Sequence, residues 1–151
     1  MSLCKSASFT RTAISNASIG NIRGLGVDLV YVPRIMALLS RKPVYLTKFT
    51  QRILHEAEYV RATSMIDSRG RHDLFIARCW AIKEALFKSL DTSRQSGFRM
   101  RDWNTIDTSS PKPTISGGAI HKGEEFFVSV THDGEYLLAA VIRGQSDQMS
   151  Q

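Results

Sequence analysis

The sequence is poor in cysteine, and the cysteines that it has form no recognisable site. Cys4 and Cys79 are the only two in 151 residues, and they stand in no CxxC pair. This spacing indicates neither a disulfide framework nor a thiol redox motif. The histidines show no zinc-ligand spacing with these cysteines: His55, His72, His121 and His132. The sequence therefore gives no support to a disulfide-stapled or zinc-binding class.

Long apolar runs are also missing, and acidic residues are missing from the start of the chain. No run approaches the length of a membrane span, so we expect no membrane-spanning segment. Residues 1–20 are rich in Ser, Thr and Ala and include Lys5 and Arg11, whereas the first acidic residue is Asp28. This composition predicts an organellar transit peptide, with a basic disordered tail as the alternative. We accordingly expect a mitochondrial location, with the cytoplasm as the alternative.

The composition is that of one globular domain with an excess of positive charge. Hydrophobic residues make up 42% of the chain, and the length is sufficient for a single core. The formal net charge of +6 indicates an anionic partner, which is a nucleic acid, a membrane surface, a nucleotide or an acidic protein. Composition does not choose among these four.

Hydrophobic periodicity predicts a mixture of strands and helices within a domain at 21–144, followed by a disordered tail at 145–151. The predicted strands are 22–30, 103–106, a short edge strand near 111–117, 125–132 and 136–143. The predicted helices are 33–39, 47–62 and 73–90, with a loop at 64–72. Asp133-Gly134 is a hairpin signal between the last two strands. One strand, several helices and then an antiparallel meander predict an α+β fold.

The helix at 73–90 carries charged side chains in and beside its apolar stripe. Lys83 falls inside the stripe, where an ammonium group without a partner is expensive to bury unless it reaches outward to water. Glu84 and Lys88 are four residues apart on the edge of the stripe. They form either an ordinary surface ion pair, worth little stability, or part of a ligand site.

Asp28 is the second unusual feature, because it is an acid inside an apolar strand. It is either a strand-end acid that accepts hydrogen bonds from a turn or a metal ligand, since buried charges are paired or bind metals. Gly24 and Gly26 in the same strand permit close backbone approach. No GxGxxG pattern follows, so the segment is not a dinucleotide-binding fingerprint.

Three segments in order resemble the holo-acyl-carrier-protein synthase family of 4′-phosphopantetheinyl transferases. They are GLGVDLVYVPRI (24–35), WAIKEALFKSL (80–90) and VSVTHDGEYLLAAVI (128–142). The resemblance implies the α+β fold of these transferases, an antiparallel sheet with a long central helix. The chain departs from the family in two places. Cys79 stands where many members have arginine, and DTSRQSG (91–97) stands where many have Gly-Thr-Gly.

The resemblance implies transfer of 4′-phosphopantetheine from coenzyme A to a serine of an apo acyl carrier protein, in support of fatty acid biosynthesis. Adenosine 3′,5′-bisphosphate is the other product. Asp28 and Glu84 are then ligands of Mg²⁺, which prefers one or two carboxylates plus substrate phosphates. The implied catalytic residues are Asp28, Glu84 and Lys88. Glu84 orients the water that takes the serine proton, and Lys88 holds a phosphate oxygen.

The same resemblance implies binding residues and an assembly. The implied coenzyme A contacts are Lys83, Lys88, Ser129, Thr131 and His132. The implied contacts with the acidic carrier protein are Arg34, Arg41, Lys48 and Arg52. Short family members are homotrimers with active sites at the subunit interfaces, so we expect a homotrimer here.

A basic RNA- or DNA-binding module is the main rival interpretation. It explains the positive charge equally well, but phosphate contacts require only cations and leave the acids at Asp28 and Glu84 unexplained. The chain also lacks the aromatic pattern of an RNA-recognition motif. We therefore expect no nucleic-acid partner, and we expect no membrane partner. A catalytically inactive homologue is disfavoured by the retention of Asp28, Glu84 and Lys88.

Overall fold

A computed structural model describes residues 21–145 of the protein. The predicted transit peptide at 1–20 lies outside the described residues, and so does the predicted tail beyond Gln145. Gln145 itself is the last residue of a strand.

Three long strands form one antiparallel sheet, and two short strands form a second. The strands are β1 (Ile22–Tyr31), β2 (Trp103–Asn104), β3 (Ser116–Gly117), β4 (Glu124–Asp133) and β5 (Tyr136–Gln145). The main sheet has the order β1-β5-β4, and β2 pairs with β3. Gly134, with a φ of 55°, lies in the turn between β4 and β5 and confirms the predicted hairpin.

The described residues form five helices, and the longest of them packs on the inner face of the main sheet. They are α1 (Val32–Leu39), α2 (Pro43–Ile53), α3 (Glu56–Thr63), α4 (Arg69–Ser89) and the four-residue α5 (Thr92–Gln95). A 3₁₀ turn at Met100–Asp102 precedes β2. The α+β class with an antiparallel sheet and a long central helix, α4, is confirmed.

The prediction of one helix over 47–62 is wrong, because the chain breaks between α2 and α3. His55 Nδ1 accepts a hydrogen bond from the Ala57 N–H (3.3 Å), and a Glu58 carboxylate oxygen accepts one from the His55 N–H (2.9 Å). These two bonds form a capping box that starts a new helix. The predicted loop at 64–72 is also too long, since α4 begins at Arg69.

Helix α4 lies directly on β1, and two glycines permit this close approach. A Cβ atom added to Gly26 would lie 1.8 Å from the Ala85 carbonyl oxygen, and one added to Gly24 would lie 1.9 Å from the Ser89 carbonyl oxygen. Neither position has room for a side chain, so the backbones of β1 and α4 are in contact. This contact brings Asp28, two residues beyond Gly26, against the last turns of α4.

The outer face of the main sheet is apolar and exposed. Leu25, Leu29 and Phe127 point away from α4 and are more than half exposed. Within residues 21–145, no element packs over this face, which we call the outer face. Exposed contiguous apolar surface of this kind is typical of an interface.

The helices in the described part of the chain are too short or too polar to cross a bilayer.

Candidate functional site

Asp28, Glu84 and Lys88 meet where β1 contacts α4. The Lys88 ammonium group donates to a carboxylate oxygen of Asp28 (2.8 Å) and to the Val27 carbonyl oxygen (3.0 Å). Lys88 therefore forms its ion pair with Asp28 on β1. Within the described residues it does not form the surface ion pair with Glu84 that the helical spacing allows. The sequence reasoning that singled out these three residues thus selected neighbours in space.

Burial and neighbouring charges together shift the pKa of the Glu84 carboxyl group. Partial burial raises the pKa of its carboxyl group, the nearby Asp28 charge raises the pKa further, and Lys88 lowers it. Two carboxylates side by side repel each other when both are ionised. A bound cation would relieve that repulsion, so the electrostatics of the pair suit a positively charged ligand.

The donor set fits Mg²⁺ that is shared with a phosphate-bearing substrate. Asp28 and Glu84 supply two carboxylates from two elements, and residues 21–145 contain no cluster of three or more metal-ligating side chains. Mg²⁺ is commonly held by one or two carboxylates together with substrate phosphates and water. Asp28 and Glu84 therefore match this mode of binding better than a cage made by the protein alone.

A groove of about 860 Å³ begins at Glu84 and runs between α2, α4 and residues 98–101. We call it the aromatic groove. Phe49 and Trp80 stack with 5.5 Å between ring centroids, and Phe87 and Phe98 meet at 5.4 Å. The chain thus places a long apolar surface next to the carboxylate pair.

The expected contact of Lys83 with coenzyme A is wrong. The side chain is 0% exposed, and its ammonium group donates to a Glu58 carboxylate oxygen (2.5 Å) and to the Ile53 carbonyl oxygen (2.6 Å). Burial lowers the pKa of Lys83, and the Glu58 carboxylate opposes this effect. Lys83 is a core residue that joins α4 to the junction between α2 and α3.

Glu58 is a structurally important residue that sequence reasoning missed. Besides Lys83 and the His55 N–H, its carboxylate accepts bonds from the Thr105 N–H (2.7 Å) and hydroxyl group (2.6 Å). The spacing of His55 and Glu58 matches a capping box, but histidine is not among the usual N-cap residues. The sequence therefore did contain a capping-box signal, but with histidine in place of a usual N-cap residue.

Cys79, which replaces the arginine of many family members, lies in the same interior region. It is buried, and its sulfur lies 3.6 Å from the Thr105 hydroxyl oxygen. Burial raises the pKa of its thiol to about 12. The thiol is therefore protonated at neutral pH and behaves as a small apolar side chain.

The expected nucleotide contacts on β4 do not meet Asp28 and Glu84 within one chain. Ser129 pairs in register with Ala140, which pairs with Val27, and Thr131 lies in line with Leu29. These alternating positions put Ser129 and Thr131 on the outer face, whereas Asp28 points to α4. His132 is exposed near the end of β4.

The basic residues expected to bind the carrier are all exposed. Arg34 is on α1 and Arg41 follows it, while Lys48 and Arg52 lie one turn apart on α2 at the edge of the aromatic groove. Within residues 21–145 their side chains form no ion pair. They are therefore available to an external anionic partner.

The segment that replaces Gly-Thr-Gly is held by ion pairs. Asp91 accepts two bonds from the Arg143 guanidinium group (2.7 and 2.9 Å). Arg94 in α5 pairs with Glu124 and donates to the Ala119 carbonyl oxygen (2.7 Å). The segment after α4 is thus tied to the sheet by side chains.

Comparison with known proteins decides the family. The sequence profile of the 4′-phosphopantetheinyl transferase superfamily matches residues 24–141. The chain belongs to this superfamily. The predicted resemblance is confirmed, and the match spans both β1 with Asp28 and α4 with Glu84 and Lys88.

Relatives of the transferase agree in sequence and in fold. This chain is 36% identical over 121 residues to the holo-[acyl-carrier-protein] synthase of Bacillus velezensis, and the alignment covers 80% of this chain and 94% of the relative. It is 28% identical to the mitochondrial holo-[acyl-carrier-protein] synthase of Eremothecium gossypii, with 85% and 83% coverage. The crystal structure of a holo-(acyl-carrier-protein) synthase from Bacillus anthracis, in complex with CoA (3′,5′-ADP), aligns with a TM-score of 0.69 and 26% identity. That alignment covers 83% of this chain and 99% of the other.

Proposed function

We propose that this transferase is a holo-[acyl-carrier-protein] synthase that moves 4′-phosphopantetheine from coenzyme A to a serine of an apo acyl carrier protein. The observation that carries the proposal is the meeting of Asp28, Glu84 and Lys88 at the β1–α4 contact. Two carboxylates and an ammonium group are what phosphoryl transfer from a diphosphate requires of a protein. A carrier protein of fatty acid synthesis is the expected acceptor.

Each residue has a role that follows from its chemistry. The serine oxygen forms a bond to the phosphorus next to pantetheine, and the bond from that phosphorus to the bridging diphosphate oxygen breaks. Glu84 accepts the serine proton through a water molecule, since its raised pKa makes it a better base than an ordinary glutamate. Lys88 holds a phosphate oxygen and stabilises the charge that develops on the leaving bisphosphate.

Asp28 and Glu84 would hold the Mg²⁺ ion. When bound, Mg²⁺ supplies positive charge to the diphosphate oxygens. Asp28 also receives the hydrogen bond from Lys88, so it orients the ammonium group as well as the ion.

A direct test is to incubate the protein with coenzyme A, Mg²⁺ and an apo carrier protein and to weigh the carrier by mass spectrometry. We expect the carrier to gain one phosphopantetheine group, and we expect a chelator to prevent the gain. A carrier of unchanged mass in the presence of folded enzyme and Mg²⁺ would contradict the proposal.

We also propose that the transferase is a homotrimer whose subunits meet through the outer face. That face is apolar and exposed, and it carries Ser129 and Thr131 beside Val27 and Leu29. Because these two polar residues face away from Asp28 in their own subunit, they would contact a nucleotide only at the site of a neighbouring subunit. The expected coenzyme A contacts therefore support an active site at the subunit interface.

Leu29→Asp is expected to give a protein with the mass of one chain and at least tenfold lower activity, because it places a charge in the apolar interface. Light scattering and the carrier assay measure both effects. Ile66→Asp is a matched control, since Ile66 is 62% exposed, close to the 61% of Leu29, but lies in the loop before α4. A Leu29→Asp protein that keeps three times the mass of one chain would refute this interface.

We propose a mitochondrial location, supported by the composition of residues 1–20 and by the mitochondrial relative from Eremothecium gossypii. A fluorescent protein fused to residues 1–24 is expected to enter mitochondria, because an acid-free, basic, Ser-rich segment is typical of a transit peptide. Replacing Lys5 and Arg11 by glutamate in the fusion is expected to abolish import. Diffuse cytosolic fluorescence of the unaltered fusion would remove this proposal and leave the enzymatic one intact.

A further inference from the structure

The C-terminal end of α4 is joined to the start of β1 by a buried arginine of β5. Arg143 donates two hydrogen bonds to the carboxylate of Asp91, which lies just after α4 (2.7 and 2.9 Å). Its guanidinium group also donates to the Arg23 carbonyl oxygen on β1 (3.0 Å) and to a Glu124 carboxylate oxygen on β4 (3.4 Å). One side chain thus contacts both of the elements that form the candidate site.

The guanidinium group of Arg143 lies at the contact between β1 and α4. A Cβ atom added to Gly24 would lie 3.4 Å from Arg143 Nε and 1.9 Å from the Ser89 carbonyl oxygen. The Nε donor is buried and has no acceptor among residues 21–145, where it lies against Gly24. A shift of α4 along β1 would therefore pull Asp91 away from a guanidinium group that is held in the interior.

The segment at 91–97 also holds the end of α4 through an amide side chain. The last carbonyl groups of a helix lack a full set of N–H partners within the helix. Gln95 Nε2 donates to the Phe87 and Leu90 carbonyl oxygens (3.0 and 3.2 Å). Where many family members have Gly-Thr-Gly, this chain therefore fixes the end of α4 with side chains.

Lys88 lies in the part of α4 that these contacts hold. Its ammonium group reaches across the same β1–α4 contact to the Asp28 carboxylate and to the Val27 carbonyl oxygen. A lysine acts on a phosphate as a point charge at the end of a flexible stem, so its effect depends on where that stem begins. The alignment of α4 along β1 therefore determines where the ammonium group lies.

We infer that Arg143 and Asp91 are positioning residues for Lys88, because their ion pair fixes the last turn of α4 along β1. The inference rests on the proposed function and deepens it, since the pair contacts Asp28 and Glu84 only through the alignment of the two elements. A pair that merely stabilised the fold would lower the free energy of unfolding and leave Lys88 in place in every folded molecule. The position of Lys88 in the folded protein therefore distinguishes the two roles.

The first test compares Arg143→Gln with Val141→Ala in the full chain, without Mg²⁺ or substrate, by nitrogen–proton NMR of the Lys88 ammonium group. Val141 is a buried residue on the same strand and face as Arg143, and its truncation removes apolar contacts but no ion pair. Arg143→Gln is expected to move the Lys88 signal toward its position in Asp28→Ala, where the bond to Asp28 is absent. Val141→Ala is expected to lower the urea midpoint and to leave the signal unchanged.

Asp91→Asn examines the same ion pair from its exposed side, and it serves if Arg143→Gln does not fold. Arg143 keeps Glu124 as a charged neighbour in this variant, so we expect the domain to fold. The Lys88 signal is expected to move in the same direction as in Arg143→Gln.

Kinetics measure whether the displacement of Lys88 affects the reaction. Arg143→Gln is expected to lower kcat by about tenfold, because a small misplacement of a catalytic group is costly, and to leave the carrier KM within about twofold. In a Lys88→Ala background the same change is expected to lower kcat by less than about twofold, since Arg143 acts through Lys88. Val141→Ala is expected to change kcat by less than about twofold in either background.

Three results would overturn the inference. They are an unchanged Lys88 signal in the folded Arg143→Gln or Asp91→Asn protein, an equal shift in Val141→Ala, and an equal loss of kcat from Arg143→Gln with and without Lys88. If the unaltered enzyme modifies no carrier, the proposed function fails, and the NMR comparison still decides whether the pair positions Lys88.

Discussion

Asp28→Ala and Glu84→Ala are each expected to lower kcat/KM by about 10²–10³-fold, and the double variant little further than the worse single one. The two carboxylates lie close enough for the charge of Asp28 to raise the pKa of Glu84, and in our proposal they share one Mg²⁺ ion. Loss of either leaves too few protein ligands, so the second loss removes little that remains. Steady-state kinetics on all three variants and on the exposed-acid control Asp67→Ala measure this effect.

Titration with Mg²⁺ separates the roles of the two residues. Excess Mg²⁺ is expected to restore part of the activity of Asp28→Ala by mass action and less of that of Glu84→Ala, because Glu84 also accepts the proton. Carboxyl NMR should show a lower Glu84 pKa in Asp28→Asn, since that change removes a raising influence. Losses that add fully, with unchanged metal affinity in both single variants, would rule out a shared ion.

Lys83→Met is expected to lower the free energy of unfolding by about 3–5 kcal/mol, because it leaves the Glu58 carboxylate charged and buried without its cation. Urea denaturation measures this loss. The matched control is Lys88→Met on the same helix, where the side chain is 47% exposed and pairs with Asp28 at the surface. That control is expected to cost less than about 1 kcal/mol, because an exposed ion pair contributes little.

A second variant shows whether the loss of stability in Lys83→Met comes from the unpaired Glu58 charge or from the loss of the lysine side chain itself. Lys83→Met combined with Glu58→Gln is expected to recover a substantial part of the loss, because the buried charge disappears while Thr105 keeps an acceptor. A Lys83→Met protein as stable as Lys88→Met would show that the buried pair contributes no net stability.

The members of the proposed catalytic group could be predicted from sequence because each is unusual in its own segment and each lies in a motif that resembles the transferase family. Asp28 is an acid in an apolar strand, and Glu84 and Lys88 share a helix at the edge of an apolar stripe. Gly24 and Gly26 indicated close backbone approach, and α4 occupies that space. Local patterns therefore selected residues that the β1–α4 contact brings together.

Other features depend on partners that are distant in sequence, and local patterns did not reveal them. The role assigned to Lys83 was wrong because its partner, Glu58, lies on a different helix. The break between α2 and α3 depends on a histidine cap. Ser129 and Thr131 belong to a face that one chain leaves open, and Arg101 reaches the groove only through the packing of the 3₁₀ turn against α2.

The glycines of β1 also determine which strand alignments are possible. A shift of β1 by one residue would turn Val27 or Leu25 toward α4 in place of Gly26, and it would turn Asp28 to the outer face. The Ala85 carbonyl oxygen leaves no space for such a side chain, so the shifted strand could not close against the helix. A chain with a shifted β1 therefore cannot pack α4 against the sheet to complete the core. The same β1–α4 contact therefore closes the domain interior and places the Asp28 carboxylate beside Glu84, so a shift in the alignment of β1 would lose both together.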